Sequence, residues 1–223
     1  MNGSVQLCID PDEERRIIGL AGAHRVGKTT LANTFAELSG IYKLDTNIGD
    51  TFAKYGYDPK IDYPLDIRLR VQSMIMLDLE AKYAAAPTKY FIADRTPIDV
   101  YAYMLCDVTR TPLTFGQQAL MDQLWADAVR ITSERLGMVL LVQPGIKLIE
   151  ADGKAPASEL YVEHVNTVII GLLMSKCSDD FTSAVVMLKR DMTNLKERTE
   201  TLMEFSQDYF PELMFLQETS SLM

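Results

Sequence analysis

The chain has little cysteine and little histidine, which argues against two kinds of site. Its three cysteines, Cys8, Cys106 and Cys177, lie far apart and form no C-x-x-C pair, and His24 and His164 are isolated. A disulfide framework needs paired cysteines, and a zinc site needs clustered cysteine and histidine. We therefore expect neither disulfides nor bound zinc.

Long apolar segments are also missing. The longest one, over 168–174, is far too short to cross a bilayer, which takes about 20 residues. Residues 1–16 contain no apolar stretch of signal-peptide length and carry an acidic run over 10–14. The sequence thus predicts no membrane partner and a cytoplasmic location.

The chain also lacks an excess of basic residues. Lysine and arginine number 22 against 31 aspartates and glutamates, so the formal net charge is −9. Tight nonspecific binding to long polyanions depends on lysine and arginine neutralising phosphates, and an acidic chain is poorly suited to it. A local basic cleft in such a protein can still admit a nucleic-acid strand transiently.

One complete motif is present near the start of the chain. Residues 22–30 read G-A-H-R-V-G-K-T-T and satisfy G-x-x-x-x-G-K-[ST], the phosphate-binding loop or P-loop. The apolar run 17–21 before it predicts a buried strand, and 30–38 after it predicts a helix with apolar side chains at helical spacing through Leu38. The strand-loop-helix context that this motif requires is therefore present.

The residue types of the motif fit polyphosphate chemistry. Glycine lets the backbone turn closely enough for several amides to converge on phosphate, and a helix N-terminus adds its dipole. Lys28 brings a positive charge to the β- and γ-phosphates, and Thr29 offers a hydroxyl to Mg²⁺. For His24, a solvated loop side chain is favoured over a phosphate contact. The predicted cofactors are ATP and Mg²⁺, and the predicted nucleotide-binding residues are Gly22, Ala23, His24, Arg25, Val26, Gly27, Lys28, Thr29 and Thr30.

Strand and helix patterns alternate along the rest of the chain. This alternation, with strands that lack a polar face, indicates a parallel sheet covered on both sides. The predicted fold class is α/β: a single-domain, three-layer P-loop NTPase fold over 1–223, with a five-stranded parallel sheet, helices on both faces and a mobile lid. The further predicted strands are 41–45, 90–94, 138–142 and 181–188, and the further helices are 48–55, 66–86, 97–105, 115–136, 158–174 and 191–209.

Charged residues follow the second and third predicted strands. Ligands of open α/β sheets bind at the carboxyl ends of the strands, so Asp45, Asp94 and Arg95 should share one crevice with the P-loop. Asp94 is predicted to hold Mg²⁺ together with Thr29, or to accept a proton from an attacking hydroxyl; its alternative role is to cap the helix that begins near residue 97.

The roles of the two neighbouring residues remain open between chemistry and structure. Arg95 is suited to bidentate contact with phosphate, or alternatively to a salt bridge with an acid such as Asp99. Asp45 is either the catalytic base or a turn-forming residue, with no preference between the two. The predicted catalytic set is Lys28, Asp94, Arg95 and Asp45.

The irregular segment over 143–157 is the predicted lid. It carries Lys147 and Lys154 as cations and Gly145 and Gly153 as points of hinge motion. Closure of a cationic lid would exclude water and complete the phosphoryl-transfer site. The alternative is an ordinary loop with solvated lysines.

With these motifs, the chain resembles small P-loop kinases of the ribosylnicotinamide kinase and thymidylate kinase type over nearly its whole length. In that group a D-R-[ST] segment places an acid near the transferred phosphoryl group and an arginine on substrate or phosphate, which corresponds to Asp94 and Arg95. A D-G-x-R lid in one branch is matched by Asp152 and Gly153, but its arginine position holds Ala155.

A narrower resemblance rests on three segments. A-H-R-V-G-K-T-T over 23–30, L-D-T-N-I-G-D-T-F over 44–52 and A-D-R-T-P-I-D over 93–99 are similar to bacteriophage P-loop kinases that act on 5-hydroxymethyluracil in DNA. This resemblance implies phosphorylation of the base's hydroxymethyl group, a step towards hypermodified thymidines. The base would leave its stack and contact aromatic side chains, with Tyr55, Tyr57 and Tyr63 as candidates.

Two other functions stay open at this stage. A kinase of a free nucleoside or nucleoside monophosphate agrees better with the acidic net charge. A nucleotide-dependent switch or ATPase without acceptor chemistry ranks third. The acceptor, whether a modified DNA base or a free nucleoside or nucleotide, is not decided by the sequence, and neither is the oligomeric state, for which a homodimer is one option.

Overall fold

A parallel sheet forms the centre of the protein. The computed structural model describes residues 17–58, 61–108, 112–149, 158–176 and 181–210. Within these ranges five parallel strands are ordered β2-β3-β1-β4-β5, which confirms the predicted sheet. The strands are β1 (Ile17–Ala21), β2 (Tyr42–Leu44), β3 (Phe91–Ala93), β4 (Leu136–Leu141) and β5 (Ala184–Met187).

Helices follow the strands and cover both faces of the sheet. One group pairs the first helix with the last, and the other joins the third to the sixth helices. None of the helices in the described ranges has the length and apolarity needed to span a membrane. The helices are α1 (Lys28–Ser39), α2 (Ile48–Lys54), α3 (Leu65–Ala84), α4 (Pro97–Asp107), α5 (Phe115–Arg135), α6 (Glu159–Gly171), which continues as a π-helical turn over Leu172–Lys176, and α7 (Leu195–Tyr209).

The two central strands lie entirely within the core. Every residue of β1 and β4 is buried, as expected for strands covered on both faces. On α1 the buried apolar residues are Leu31, Ala32 and Phe35, whereas Leu38 is 63% exposed. The helical spacing correctly indicated a helix. It also grouped Leu38 with the buried residues, whereas the fully buried apolar side chains of α1 end at Phe35, about one turn earlier.

Two predicted boundaries change because polar side chains bind the backbone there. The predicted strand over 181–188 covers only Ala184–Met187 in the structure. Just before this observed strand, the buried Ser183 hydroxyl donates to the carbonyls of Thr132 and Leu136 at 3.1 and 2.7 Å. The last helix begins at Leu195 instead of residue 191. Its N-cap is Asn194, whose side chain accepts hydrogen bonds from the amides of Lys196 and Glu197.

Candidate phosphate-binding and acceptor site

The register of the sheet brings the predicted site residues to one edge. Leu44 pairs with Ala93, so Asp45 and Asp94 each follow a paired position on neighbouring strands. Strand β1 lies beside β3 and continues into the P-loop. The P-loop and the ends of β2 and β3 therefore lie at the same edge of the sheet.

The glycines of the P-loop are required by its conformation. Gly22 has φ of 147° and Gly27 has φ of 93°, in the region that favours glycine. A Cβ atom on Gly22 would also lie 2.5 Å from the carbonyl oxygen of Val142. Gly27 is the N-cap of α1, so the loop leads directly into the amides of a helix N-terminus, which favour an anion.

Lys28 lies under the loop with its ammonium group buried. Its Nζ donates to the carbonyls of Gly22 and Ala23, at 2.6 and 2.8 Å. Burial lowers the pKa of Lys28 to about 8, and the negative charge of Asp99 partly offsets this effect. The carbonyl groups of the loop therefore surround the Lys28 ammonium. The lysine lies among the groups that would face phosphate.

Asp99 contributes to the structure of the site, although the sequence indicated it only as a salt-bridge partner for Arg95. It is fully buried, and its carboxylate accepts hydrogen bonds from the amides of Gly22 at 2.9 Å and Thr96 at 3.2 Å. Burial raises the pKa of Asp99, against the effects of Lys28 and Arg95. Its oxygens thus hold backbone amides of the P-loop and of the α4 cap, in place of the salt bridge that was the alternative role of Arg95. The T-x-x-D pattern over 96–99, a capping box, was the signal that could have revealed it.

Asp94 faces the P-loop and does not cap a helix. Its carboxylate accepts a hydrogen bond from the hydroxyl of Thr29. The N-cap of α4 is Thr96, whose side chain accepts from the amide of Asp99 at 3.3 Å. The capping alternative for Asp94 is therefore wrong, and its chemical role stays a prediction.

Thr29 and Asp94 together form an oxygen donor pair suited to Mg²⁺. This ion commonly takes one or two carboxylates and completes its shell with water and substrate phosphates. Among the described residues no group of three or more histidine, cysteine or acidic side chains forms a metal cluster. The donor set thus fits an ion held jointly by the protein and by a bound polyphosphate.

Arg95 and Asp45 differ in what they contact. The Arg95 guanidinium lies 5.7 Å from the ring centroid of Tyr103, within cation-π range. Asp45 is exposed, and its carboxylate accepts from the amide of Asn47 at 3.0 Å. This hydrogen bond is the turn-forming interaction that was one of its two alternatives.

The side chains at the tip of the P-loop are engaged with other elements. The His24 amide donates to the Tyr103 hydroxyl at 2.6 Å, and its ring lies 5.6 Å from that of Tyr161. The expectation of a solvated His24 side chain is therefore wrong. Arg25, which adopts a left-handed φ of 62°, donates from Nη1 to the carbonyl of Ile149. The loop is thereby joined both to α4 and to the segment after β4.

Two cavities meet at this edge of the sheet. The phosphate cleft, of about 490 Å³, includes Lys28, Thr29 and Asp94 in its lining. The aromatic pocket, of about 650 Å³, lies beside it. His24 and Arg95 line both cavities. The remaining residues of the aromatic pocket are Ile48, Phe52, Gln72, Ile75, Val100, Tyr103, Asp107, Ser158 and Tyr161.

The tyrosines that were expected to contact an acceptor lie elsewhere. Tyr57 and Tyr63 pack edge to face against each other, with ring centroids 5.5 Å apart, and Tyr55 lies beneath the ammonium of Lys54. The aromatic pocket uses Phe52, Tyr103 and Tyr161 instead. Their positions on three separate helices gave no common sequence signal.

A buried carboxylate fixes the wall that α2 contributes to the aromatic pocket. Asp78 on α3 accepts from Thr51 at 2.7 Å and from Lys54 at 2.8 Å, both on α2, and pairs with Lys82 at 3.3 Å. Burial opposes the ionisation of Asp78, but these hydrogen bonds outweigh it and lower its pKa to about 2. Helix α2 is thus attached to α3 at a single charged centre.

The predicted lid is described only in part. Residues 144–149 lie beside the phosphate cleft, and Ile146, Lys147, Leu148 and Ile149 line it. The Asp152, Gly153, Lys154 and Ala155 positions lie outside the described residues. At Gly145, an added Cβ would lie 2.1 Å from the carbonyl oxygen of Arg190, so the structure gives a packing reason for this glycine.

We expect Gly145→Ala to destabilise the protein by about 1–3 kcal/mol, because the new methyl group meets backbone that must move. Urea unfolding measures this loss. Gly116→Ala is the matched control: nothing lies within 4 Å of its added Cβ, and its position inside α5 favours alanine by about 0.5–1 kcal/mol. An unchanged or raised midpoint for Gly145→Ala would show that close approach does not explain this glycine.

The sheet order, the P-loop after β1 and the acid after β3 define a P-loop protein with a kinase-like α/β fold. The chain belongs to the family described as AAA domain, which matches residues 17–176. No curated protein sequence matches this chain significantly.

Solved structures with the same fold are distant in sequence. NadR in complex with NAD and AMP-PNP has a TM-score of 0.60 at 16% identity, covering 87% of this chain. This chain spans about half the length of the NadR chains, 49% and 51% in two structures. Thymidylate kinase from Candida albicans has a TM-score of 0.60 at 16% identity, over 87% of this chain and 92% of its own.

A third structure, deoxyadenosine kinase from M. mycoides with bound dCTP, has a TM-score of 0.58 at 14% identity. The match covers 86% of this chain and 99% of that one. At such low identities these likenesses establish the fold.

Proposed function

We propose that the protein is an ATP-dependent kinase that transfers the γ-phosphoryl group to a hydroxyl of a nucleoside-bearing acceptor. The observation that carries this proposal is the shared wall between the phosphate cleft and the aromatic pocket. Because His24 and Arg95 line both cavities, a polyphosphate in one and an acceptor in the other would meet at these side chains. The position of this second cavity beside the phosphate cleft favours a kinase over an ATPase without an acceptor.

The residues of the phosphate cleft supply the electrostatics of phosphoryl transfer. Catalysis of this reaction consists largely of positioning and charge stabilisation. Lys28 and the amides of 22–30 would hold the triphosphate, and Thr29, with Asp94 through a bound water, would hold Mg²⁺, which neutralises phosphate charge when bound. Arg95 would contact the transferred group from the side of the acceptor.

For proton transfer we assign Asp94 as the base. It lines the phosphate cleft next to Arg95, whereas the carboxylate of Asp45 holds a turn. A carboxylate that accepts the proton of the attacking hydroxyl must lie within hydrogen-bond reach of it. An acceptor that enters from the aromatic pocket past Arg95 would bring its hydroxyl towards Asp94.

The specific acceptor that we propose is the 5-hydroxymethyl group of 5-hydroxymethyluracil in phage DNA. The three segments shared with phage kinases support this, and the aromatic pocket, at about 650 Å³, is within the usual size range of ligand sites. In this role the protein would act in the host cytoplasm during DNA modification. A base turned out of its stack would contact the rings of Phe52, Tyr103 and Tyr161.

A free nucleoside or nucleoside monophosphate is the second candidate acceptor. The net charge of −9 favours a small substrate over a polyanion. The thymidylate and deoxyadenosine kinases that share the fold also make free nucleosides and nucleotides a class to test.

The test is a transfer assay with γ-labelled ATP and Mg²⁺. Acceptors are duplex and single-stranded DNA with and without 5-hydroxymethyluracil, and the corresponding free nucleoside and monophosphate. Label in modified DNA alone supports the first acceptor, and its rate should fall steeply with salt. Label in the free nucleoside or nucleotide alone, with a shallow salt dependence, supports the second. ATP hydrolysis at one rate with and without every acceptor would reject the kinase proposal.

A further inference from the structure

Arg198 on α7 reaches the back of the P-loop, 172 residues away in sequence. It is only 3% exposed. Its Nη1 donates to the carbonyl of Val26 at 2.8 Å, and its Nε donates to the carbonyl of Met192 at 2.6 Å. A longer contact of 3.5 Å joins Nη2 to the carbonyl of Gln143, after β4. In the described part of the chain, its hydrogen-bond partners are thus backbone carbonyls.

The bond to Val26 fixes one peptide group of the loop. The peptide plane is rigid and trans, so the N–H of Gly27 points opposite to the carbonyl of Val26. Because Arg198 holds that carbonyl, the Gly27 amide is turned away from α7. Gly27 itself lines the phosphate cleft, and a Cβ on it would lie 3.5 Å from Nη1 of Arg198.

A guanidinium in this place is costly for the protein alone. Burial lowers the pKa of Arg198, and carbonyl groups compensate a buried charge less well than a carboxylate does. A polyphosphate on the other side of the loop would supply the opposite charge. A bound anion would therefore offset the cost of burying the Arg198 guanidinium.

We propose that Arg198 is a positioning residue for polyphosphate: it orients the Val26–Gly27 peptide and places a fixed positive charge beneath the loop. The affinity for a nucleotide should then depend more strongly on Arg198 as the number of phosphate groups in the nucleotide rises. This inference rests on the proposed function only in that a nucleoside triphosphate binds at the loop.

Calorimetry with MgATP and with AMP tests this on the full-length chain. Losing a hydrogen bond from a charged group corresponds to about a 10- to 100-fold change in binding. We expect Arg198→Met to weaken MgATP by this factor and AMP by less than about threefold. Arg198→Lys keeps the charge but not the forked geometry, so its loss should be intermediate. The control is Arg190→Met, an exposed arginine paired with Glu163 at 2.6 Å, which should leave both affinities unchanged.

An unchanged MgATP affinity in Arg198→Met would overturn the inference, and so would equal losses for MgATP and AMP, which indicate a purely structural role. If Arg198→Met does not fold, Arg198→Lys decides, because an unchanged MgATP affinity in that variant contradicts a positioning role. A wild-type protein that binds no MgATP at all would reject the proposed function together with this inference. A wild-type protein that binds MgATP beside an insensitive variant rejects the inference alone.

Discussion

Lys28→Met is expected to lower kcat for phosphoryl transfer by about 10²- to 10³-fold, because it removes a buried cation from the place where negative charge develops on the phosphates. Methionine is chosen because its unbranched chain fills much of the space of the lysine stem. Single-turnover transfer with saturating ATP measures the effect on the chemical step.

The same substitution should not destabilise the fold at neutral pH. The pKa of Lys28 falls from 10.5 to about 8 on folding, so between these pH values the unfolded chain binds more protons and stability rises with pH. Below pH 8 the cost of the buried charge is fully present, at about 3 kcal/mol. The variant also leaves the buried carbonyls of Gly22 and Ala23 without this donor, at about 1–3 kcal/mol each, a cost of similar size. Lys28→Met should therefore stay folded at pH 7, with a stability close to that of the wild type.

Denaturant unfolding from pH 7 to 10.5 checks this pH dependence. The stability of the variant relative to the wild type should fall as the pH rises from about 8 to 10.5, because the lysine of the folded wild type loses its proton there while that of the unfolded chain keeps it. Transfer that persists at the wild-type rate in Lys28→Met would contradict the assignment of the phosphate cleft. A variant that is unfolded at pH 7 would contradict the account of its burial.

Asp94→Asn is expected to lower kcat by about 10²- to 10⁴-fold, the range for loss of a general base. Asparagine keeps the shape and can still contact Thr29, but it accepts no proton and is a weaker ligand for Mg²⁺. Steady-state transfer at saturating acceptor, with Mg²⁺ varied, measures both effects. A base acts in the chemical step, so the loss should persist at every Mg²⁺ concentration.

Asp45→Asn is the matched control for this prediction. Both carboxylates follow neighbouring strands, but Asp45 is exposed and binds the amide of Asn47, which an asparagine side chain can also do. We expect its kcat to stay within about threefold of the wild type. A larger loss in Asp45→Asn than in Asp94→Asn would exchange the roles of the two residues.

Most of the fold could be predicted because its signals are local. The apolar run at β1 and the P-loop after it each occupy a few consecutive residues, and β1 ends at Ala21, where the sequence predicts. The errors came from polar side chains that bind backbone groups, as Asn194 does at the start of α7. Such hydrogen bonds determine where a helix or strand begins or ends, but they leave the order of helices and strands along the chain unchanged.

The phosphate cleft was more predictable than the aromatic pocket for a similar reason. Thr29 and Asp94 belong to short motifs whose chemistry is known, and the structure brings them together. Phe52, Tyr103 and Tyr161 come from three helices, and only packing decides which tyrosines face the pocket. Arg198 lacked a sequence signal altogether, because its partners are carbonyl groups that every residue carries.

The attachment of α2 to α3 through Asp78 has a consequence for how such proteins diversify. Helix α2 supplies Ile48 and Phe52 to the aromatic pocket and, in the described structure, no lining residue to the phosphate cleft. On α2 the anchor consists of Thr51 and Lys54, so Ile48 and Phe52 can be exchanged without removing it. Under the proposed function, the lining of the acceptor pocket could therefore vary at these two positions without a change in any residue that lines the phosphate cleft.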